Sequence, residues 1–312
     1  MTRLPGNTLD IFPINLGGNP FGWTADEAAS FAVLDAFTES GGNFIDTADA
    51  YSAWVEGNTG GESETIIGRW MAARGNRDDL VIATKVGMLE SRKGLGHDNV
   101  VAALDESLAR LGTDHVDLYY AHYDDENVPI ADQVATFSAV VESGKARAIG
   151  LSNFSPERMR EWFQTASADG MSVPAAVQPR YSLVSRSGFE QDYAPLLTEH
   201  GTAVFSYPAL ASGFLTGKYR TEADFEGTPR GTAARRYFEA GGLRVVDAVV
   251  TVADRHRTQP ATVALAWLLA KGVTAPIASA SRPEQLEALM TAPSLALSDD
   301  DVATLDEASH GF

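Results

Sequence analysis

The 312-residue chain contains no cysteine. Disulfides, thiolate nucleophiles and zinc–thiolate centres are therefore excluded together. Basic residues are outnumbered, 24 Lys and Arg against 42 Asp and Glu, leaving a formal charge of −18 and a pI near 4.6. Such a surface repels phosphate backbones and anionic lipid, so no nucleic-acid partner is expected. A few basic groups lining a pocket can still override that field locally. No apolar run approaches ~18 residues; the longest, ATVALAWLLAKGV, is interrupted by Lys271 and Gly272. The opening stretch, MTRLPGNTLDIFPINLGG, lacks the apolar run and cleavage site of a secretory signal. The expectation is a soluble, cytoplasmic protein with no membrane partner.

Familiar cofactor signatures are missing as well. No G-x-G-x-x-G follows a strand: GGNPFG (17–22) has asparagine where the second glycine belongs, and GLGHDN (94–99) lacks the third. GFLTGKY (213–219) is one residue short of a P-loop and ends on Tyr219 where a magnesium-holding hydroxyl is required. There is no His-x-His pair, and one histidine alone falls at the end of an expected strand, so no metal site is expected.

What the chain does have is alternation. Short apolar runs rich in Val and Ile recur at PINLGG (13–18), NFIDT (43–47), LVIATKVG (80–87) and VDLYYAHY (116–123). Four more follow at ARAIGLSN (146–153), AAVQPRYS (175–182), AVFSYPAL (203–210) and TAPIASAS (274–281). Amphipathic stretches of helical period separate them, among them HDNVVAALDESLARLG and SPERMREWFQTA. Two further helices, LRVVDAVVTVADRHR and PATVALAWLLAKG, precede the last run, and RPEQLEALM follows it. Plausible caps open several helices at Thr24, Asp98 and Ser155. Eight β-then-α units in strict order predict a parallel sheet covered by helices. This length suits a closed eight-stranded parallel β/α barrel, with one domain spanning 1–312. An initial strand pair, TLDI against the region near FPINL, would plug the floor.

In such a barrel the C-terminal strand ends surround the active site. Asp46 ends the second strand, Lys85 lies near the end of the third, and His122 ends the fourth. Ser152 and Asn153 end the fifth, Gln178 lies on the sixth, Tyr207 on the seventh, and Ser279, Ser281 and Arg282 follow the eighth. Tyr51 comes five residues after Asp46, within reach of the same mouth. Each has an ordinary explanation alone: a turn cap, a snorkelling lysine, a satisfied core histidine, a packing tyrosine. As a set they differ, because the barrel brings strands two, three and four side by side. The glycine loop EGNTGGESE (56–64) is best read as a turn that caps the next helix through Glu62 or Ser63. The aromatics Phe21, Trp23 and Trp54 fall on loops at the mouth, where they read as a binding wall or as loop packing.

The chemistry of the set is coherent. A phenol of pKa near ~10 is a poor acid at neutral pH. A neighbouring ammonium stabilises the phenolate and lowers that pKa, a carboxylate keeps the ammonium charged, and a neutral imidazole orients a carbonyl oxygen. Tyr51, Lys85, Asp46 and His122 supply those four groups.

At this point the chain resembles the aldo-keto reductase superfamily, in the bacterial branch that also resembles potassium-channel β subunits. The stretches that carry the likeness are DTADAY (46–51), VIATKVG (81–87), VDLYYAHY (116–123), IGLSNF (149–154), YPALASGFLTGKY (207–219) and SRPEQLEAL (281–289). The resemblance implies NADPH-dependent reduction of a small aldehyde or ketone, Tyr51 donating the proton, Lys85 and Asp46 tuning it, and His122 orienting the substrate. It implies that Ser152, Asn153 and Gln178 bind the nicotinamide carboxamide while Tyr207 stacks on the ring. Leu210, Ser212 and Lys218 would embrace the pyrophosphate, and Ser279, Ser281, Arg282 and Gln285 the adenosine 2′-phosphate. Substrate choice is assigned to loops around Trp23, Trp54, Tyr123 and the segment 220–242. The sequence departs from relatives at Pro208, where serine is usual, and at Ala288 and Leu289, where Glu and Asn face the adenine. The same likeness leaves a second reading open, an NADPH-binding regulatory subunit with slow turnover.

Overall fold

A strand whose two faces are both covered needs apolar residues on both, and the eight recurring runs have them. The computed structural model describes residues 1–4 and 9–312. It places the runs as strands β3 (Asn15–Gly17), β4 (Phe44–Asp46), β5 (Val81–Val86), β6 (Val116–Ala121), β7 (Ala146–Ser152), β8 (Ala176–Gln178), β9 (Ala203–Val204) and β10 (Ile277–Ala278). From β3 to β9 each pairs in parallel with its neighbour in sequence, and β10 pairs in parallel with β3. The Thr274 and Ile277 N–H groups donate to the Val204 and Ser206 carbonyls, both at 2.9 Å, which ties β10 to the β9 side and closes the barrel. Register fixes the neighbours that matter later: Gly17 with Asp46, Lys85 with Tyr120, Tyr120 with Gly150, and Ser152 with Gln178.

Alternation along the strands sorts side chains into two cores. Ile45, Ile82, Tyr119, Ile149 and Val177 face the helices, where Trp70, Trp162 and Trp267 are fully buried. Phe44, Ala83, Leu118, Tyr120, Ala148, Ala176 and Phe205 face the barrel axis. Tyr120 needs room there, and Gly150 provides it: a methyl group at Gly150 would lie 2.3 Å from the Tyr120 ring.

The barrel floor is closed by a hairpin, as expected, but with different partners. Strand β1 (Thr2–Arg3) pairs antiparallel with β2 (Asp10–Ile11), while Phe12 to Leu16 lead into the barrel. Thr8 of the expected TLDI strand lies outside the described residues. Leu4, Leu9 and Ile11 join the inner core beneath Phe44 and Val81, because these strand ends would otherwise expose apolar side chains to water.

The covering helices are α1 (Glu27–Glu39), α2 (Glu62–Arg74), α3 (His97–Leu111), α4 (Ile130–Glu142), α5 (Pro156–Asp169) and α6 (Ala194–His200). Then come α7 (Gly231–Glu239), α8 (Leu243–His256), α9 (Pro260–Ala270), α10 (Leu286–Thr291) and α11 (Asp299–Ala308). Ser155 caps α5 as expected, accepting from the Arg158 N–H, with Pro156 at the first turn. Two other caps shift. Asp26 rather than Thr24 caps α1, and Gly96 precedes α3, which leaves Asp98 inside its first turn. Helix α7 lies in the segment 220–242 that sequence periodicity left without an element. Among the described residues no helix is long and apolar enough to cross a membrane.

Candidate active site

The loop that leaves β4 turns back at once. The Thr47 and Asp49 N–H groups still bond the Ala83 and Lys85 carbonyls, so the chain stays beside β5 until Tyr51 rises over the barrel end. Ser63 locks the far side of this loop by donating to the Gly18 carbonyl and accepting from Thr47 Oγ1, and so caps nothing. Glu62 does not cap the helix either: the N-cap is Gly61 with no side-chain bond, and the Glu62 carboxylate accepts from the Thr59 and Gly60 N–H groups, which holds the preceding loop.

Lys85 and Asp46 are buried to within 1% and face each other across β4 and β5. An ammonium has three protons to donate. Lys85 Nζ places them on Asp46 Oδ2 (2.6 Å), the Thr47 carbonyl (2.7 Å) and the Tyr51 hydroxyl (2.9 Å). The Tyr51 hydroxyl in turn donates to Asp46 Oδ2 at 3.0 Å, and Gln178 Nε2 donates to Asp46 Oδ1 at 2.6 Å. The His122 ring lies 6.2 Å from the Tyr51 ring, centroid to centroid. The structure therefore brings Asp46, Tyr51, Lys85, His122 and Gln178 together.

Their electrostatics follow from burial. Burial lowers the Lys85 pKa against the opposing attraction of Asp46. Burial and then the positive charge of Lys85 hold His122 well below its ordinary value, so the imidazole is neutral. The Tyr51 phenol is raised well above its ordinary value, by burial first and then by the charge and hydrogen bond of Asp46. That is opposite to the lowering expected from Lys85, because burial and the neighbouring carboxylate of Asp46 both disfavour the phenolate. The phenol keeps its proton.

Around this cluster the predicted cofactor residues divide into groups. Asn153 adopts φ +57°, uncommon outside glycine, and its Nδ2 donates to the His122 carbonyl (2.8 Å) and to Ser152 Oγ (3.1 Å). The Tyr207 hydroxyl donates to Asn153 Oδ1, so the connections after β6, β7 and β9 meet at one side chain. Ser152 Oγ donates to the Gln178 carbonyl at 3.2 Å. Further along the rim, Ala211, Ser212 and Gly213 all have positive φ after Leu210, and Lys218 lies over Gly213, where a methyl group would come within 3.1 Å of its Nζ. Ser281 Oγ is 2.8 Å from Thr24 Oγ1, and its N–H donates to Gln285 Oε1. Ser279 Oγ donates to Asn19 Oδ1 at 2.7 Å, and Arg282 is exposed. Ala288 and Leu289 are buried in α10 and face the protein rather than a cleft.

One basic group escaped the reading from sequence. Arg230 donates to Asn19 Oδ1 at 3.3 Å, stands 5.5 Å over the Trp23 ring, and has its pKa lowered by burial. Lys218, Arg230 and Arg282 have no carboxylate partner among the described residues, in a chain with an excess of 18 acids. The available signal was an arginine in a Gly/Pro-containing connection, TPRG, which is weak alone. Of the loop aromatics, Trp54 and Tyr123 are exposed, and Trp54 meets Trp23 edge-on at 5.5 Å. Phe21 is fully buried and belongs to the core.

Comparison with known proteins shows the family. The model of the aldo/keto reductase family matches residues 13–310. The chain belongs to that family. It is 32% identical to protein tas of Escherichia coli, over 97% of this chain and 96% of that protein. It is 30% identical to the norsolorinic acid reductase of Emericella nidulans, over 96% and 78%. A protein of Arabidopsis thaliana named as a voltage-gated potassium channel β subunit is also 30% identical, over 87% and 84%. Family membership carries oxidoreductase chemistry with a nicotinamide cofactor.

Proposed function

We propose that this protein reduces an aldehyde or ketone to the alcohol with NADPH, Tyr51 donating the proton. The observation that carries the reading is the triangle of Lys85 Nζ, Tyr51 hydroxyl and Asp46 Oδ2, each edge 3.0 Å or less, beside a neutral His122. NADPH, when bound, supplies hydride to the carbonyl carbon. The protein's own groups do the rest. His122 donates to the carbonyl oxygen and fixes its direction. The Tyr51 O–H turns from Asp46 to that oxygen and releases its proton as the oxygen becomes an alkoxide, and the Lys85 ammonium stabilises the phenolate left behind. A phenol that stays protonated at neutral pH is ready for this role, and one that ionised freely would not be.

The residues present fit the cofactor. Three of the cations that lack a carboxylate partner among the described residues, Lys218, Arg230 and Arg282, border the rim where Lys218 lies over Gly213 and where Ser279 and Ser281 gather. An arginine suits a dianionic phosphate through paired N–H donors, which favours NADPH over NADH. Ser152, Asn153 and Gln178 would hold the carboxamide and Tyr207 would cover the ring. Both Asn153 amide hydrogens have protein partners, so Oδ1 or a rearranged bond meets that group.

The deciding experiment is Tyr51→Phe. The variant should bind NADPH with unchanged affinity and lose nearly all turnover. Wild-type rates would remove Tyr51 from the acid role. The relatives named as potassium-channel β subunits favour a second reading, a nucleotide-binding subunit with slow turnover. Stopped-flow mixing of bound NADPH with aldehydes separates the two: rapid oxidation and release belong to an enzyme, retained cofactor to a sensor.

A further inference from the structure

We propose that the substrate is an uncharged aromatic carbonyl compound, its ring held by Trp54 and Tyr123 and its outer substituent lying between the connections after β5 and β6. This rests on the reductase reading above and narrows its substrate class. Five large hydrophobic side chains are exposed among the described residues: Met1, Trp54 (48%), Met88 (46%), Tyr123 (41%) and Val173. Three of the five lie on the successive connections after β4, β5 and β6, beside Tyr51, Lys85 and His122. Exposed apolar side chains scattered singly need no explanation, but three around one reacting group do.

The rings are also ordered. Trp23 meets Trp54 at 5.5 Å and 88°, Trp54 meets Tyr51 at 6.4 Å, Tyr51 meets His122 at 6.2 Å, and His122 meets Tyr123 at 5.5 Å. An arc of aromatic faces and edges thus surrounds the Tyr51 side chain. A flat π-system inserted there gains edge-to-face contacts with centroids ~4.5–7 Å apart, which a saturated ring of equal size cannot make.

Beyond Tyr123 the arc opens into a cleft of about 610 Å³ between Met88 and the Asp124–Asn127 turn. Its lining holds three carboxylates, Asp124, Asp125 and Glu126, against one ammonium, Lys93. Asp124 is paired with Arg158, and Asp125 accepts the Leu95 and Asn127 N–H groups, so Glu126 alone is unengaged. The one cation there, Lys93, already faces the Glu90 carboxylate at 3.5 Å. A carboxylate or phosphate on the substrate meets repulsion in this cleft, and a neutral substituent does not.

The test compares planar with saturated ligands of one skeleton. Calorimetry of 2-naphthol and decahydro-2-naphthol, with and without NADPH, measures binding. Initial rates on 2-naphthaldehyde, its decahydro counterpart and 4-carboxybenzaldehyde measure turnover. The planar member should bind about tenfold more tightly. That ratio should collapse in Trp54→Ala and Tyr123→Ala but not in Val173→Ala, an exposed position away from the site. 4-Carboxybenzaldehyde should show a kcat/KM about tenfold below that of 4-methylbenzaldehyde, the gap narrowing with salt. Equal binding and equal kcat/KM for planar and saturated members, with both aldehydes reduced, overturn the aromatic proposal and leave the reductase intact. Selective 2-naphthol binding through Trp54 with no aldehyde reduced does the reverse.

Discussion

Lys85 donates to the Tyr51 hydroxyl at 2.9 Å while sharing its charge with Asp46 at 2.6 Å. Both ends of that ion pair are buried, so its contributions to stability and to catalysis are separable. Lys85→Met leaves the Asp46 carboxylate without its cation and should cost about 3–5 kcal/mol of folding stability. It should also lower kcat by about 10²–10⁴-fold, the usual value of a tuned general acid. Adding Asp46→Asn in the same chain removes the stranded charge. The double variant should recover most of the stability in urea melts and none of the rate. Recovery of both together would mean that the pair is structural and the acid is elsewhere.

Asp49 carries a different consequence of burial. It lies three residues beyond Asp46, and both its carboxylate oxygens are buried without a hydrogen-bond partner. Burial, reinforced by the negative charge of Glu64, raises its pKa to about 8, with Arg110 and Lys85 opposing. In the unfolded chain the group ionises near ~4. Between those values the folded state holds a proton that the unfolded state has released. Its contribution to stability therefore falls as pH rises, by about 1.4 kcal/mol per pH unit, until the loss is complete above about pH 8. Asp49→Asn should gain on the wild type steadily from pH 5 to 8. Denaturation profiles of the two proteins that stay parallel across that range would show that Asp49 ionises in the fold.

The architecture was legible because alternation and the order of the strand ends are local properties of the chain. Asp46, Lys85 and His122 each end or nearly end an apolar run, and a closed barrel converts that position into proximity. The rest depended on who shares a partner. Nothing local says that Asp46 accepts from Lys85, Tyr51 and Gln178 at once, or that Tyr51 is buried against that carboxylate, and it is this burial, then the Asp46 charge, that raises the phenol. Arg230 was missed for a similar reason: its burial and its contact with Asn19 join connections 211 residues apart. For Phe21 both readings stood open, binding wall or loop packing, because a loop aromatic looks alike in sequence whether it covers a ligand or a core; its full burial decides for packing.

Arg282 is exposed and has no carboxylate partner among the described residues, so its removal strands no charge. Any loss in Arg282→Ala is then a loss of ligand contact. A charge-assisted contact to a dianionic phosphate contributes about 1.5–3 kcal/mol. NADPH should therefore bind about ten- to a hundredfold more weakly and NADH almost unchanged. Fluorescence titration of both nucleotides reads the ratio. A ratio that stays at its wild-type value would place the 2′-phosphate elsewhere, with Lys218 and Arg230 the next residues to replace.

Gly150 tests whether the inner wall of the site is as tight as it looks. It sits opposite Tyr120 in register, and the Tyr120 ring crosses the space a side chain would take, 2.3 Å from the position of a methyl group. The Lys85 ammonium lies 6.0 Å from the centre of the same ring, so displacing Tyr120 pushes toward the charged cluster. Overpacking of this kind costs about 1–3 kcal/mol. Gly150→Ala should lose that much in urea unfolding, with kcat reduced as the cluster shifts. Pairing it with Tyr120→Leu, a smaller and more flexible side chain, should recover part of the stability, since the clash involves that ring and no backbone atom among the nearest contacts. An unchanged unfolding midpoint in Gly150→Ala alone would mean that Tyr120 points away from the axis and does not belong to the inner layer.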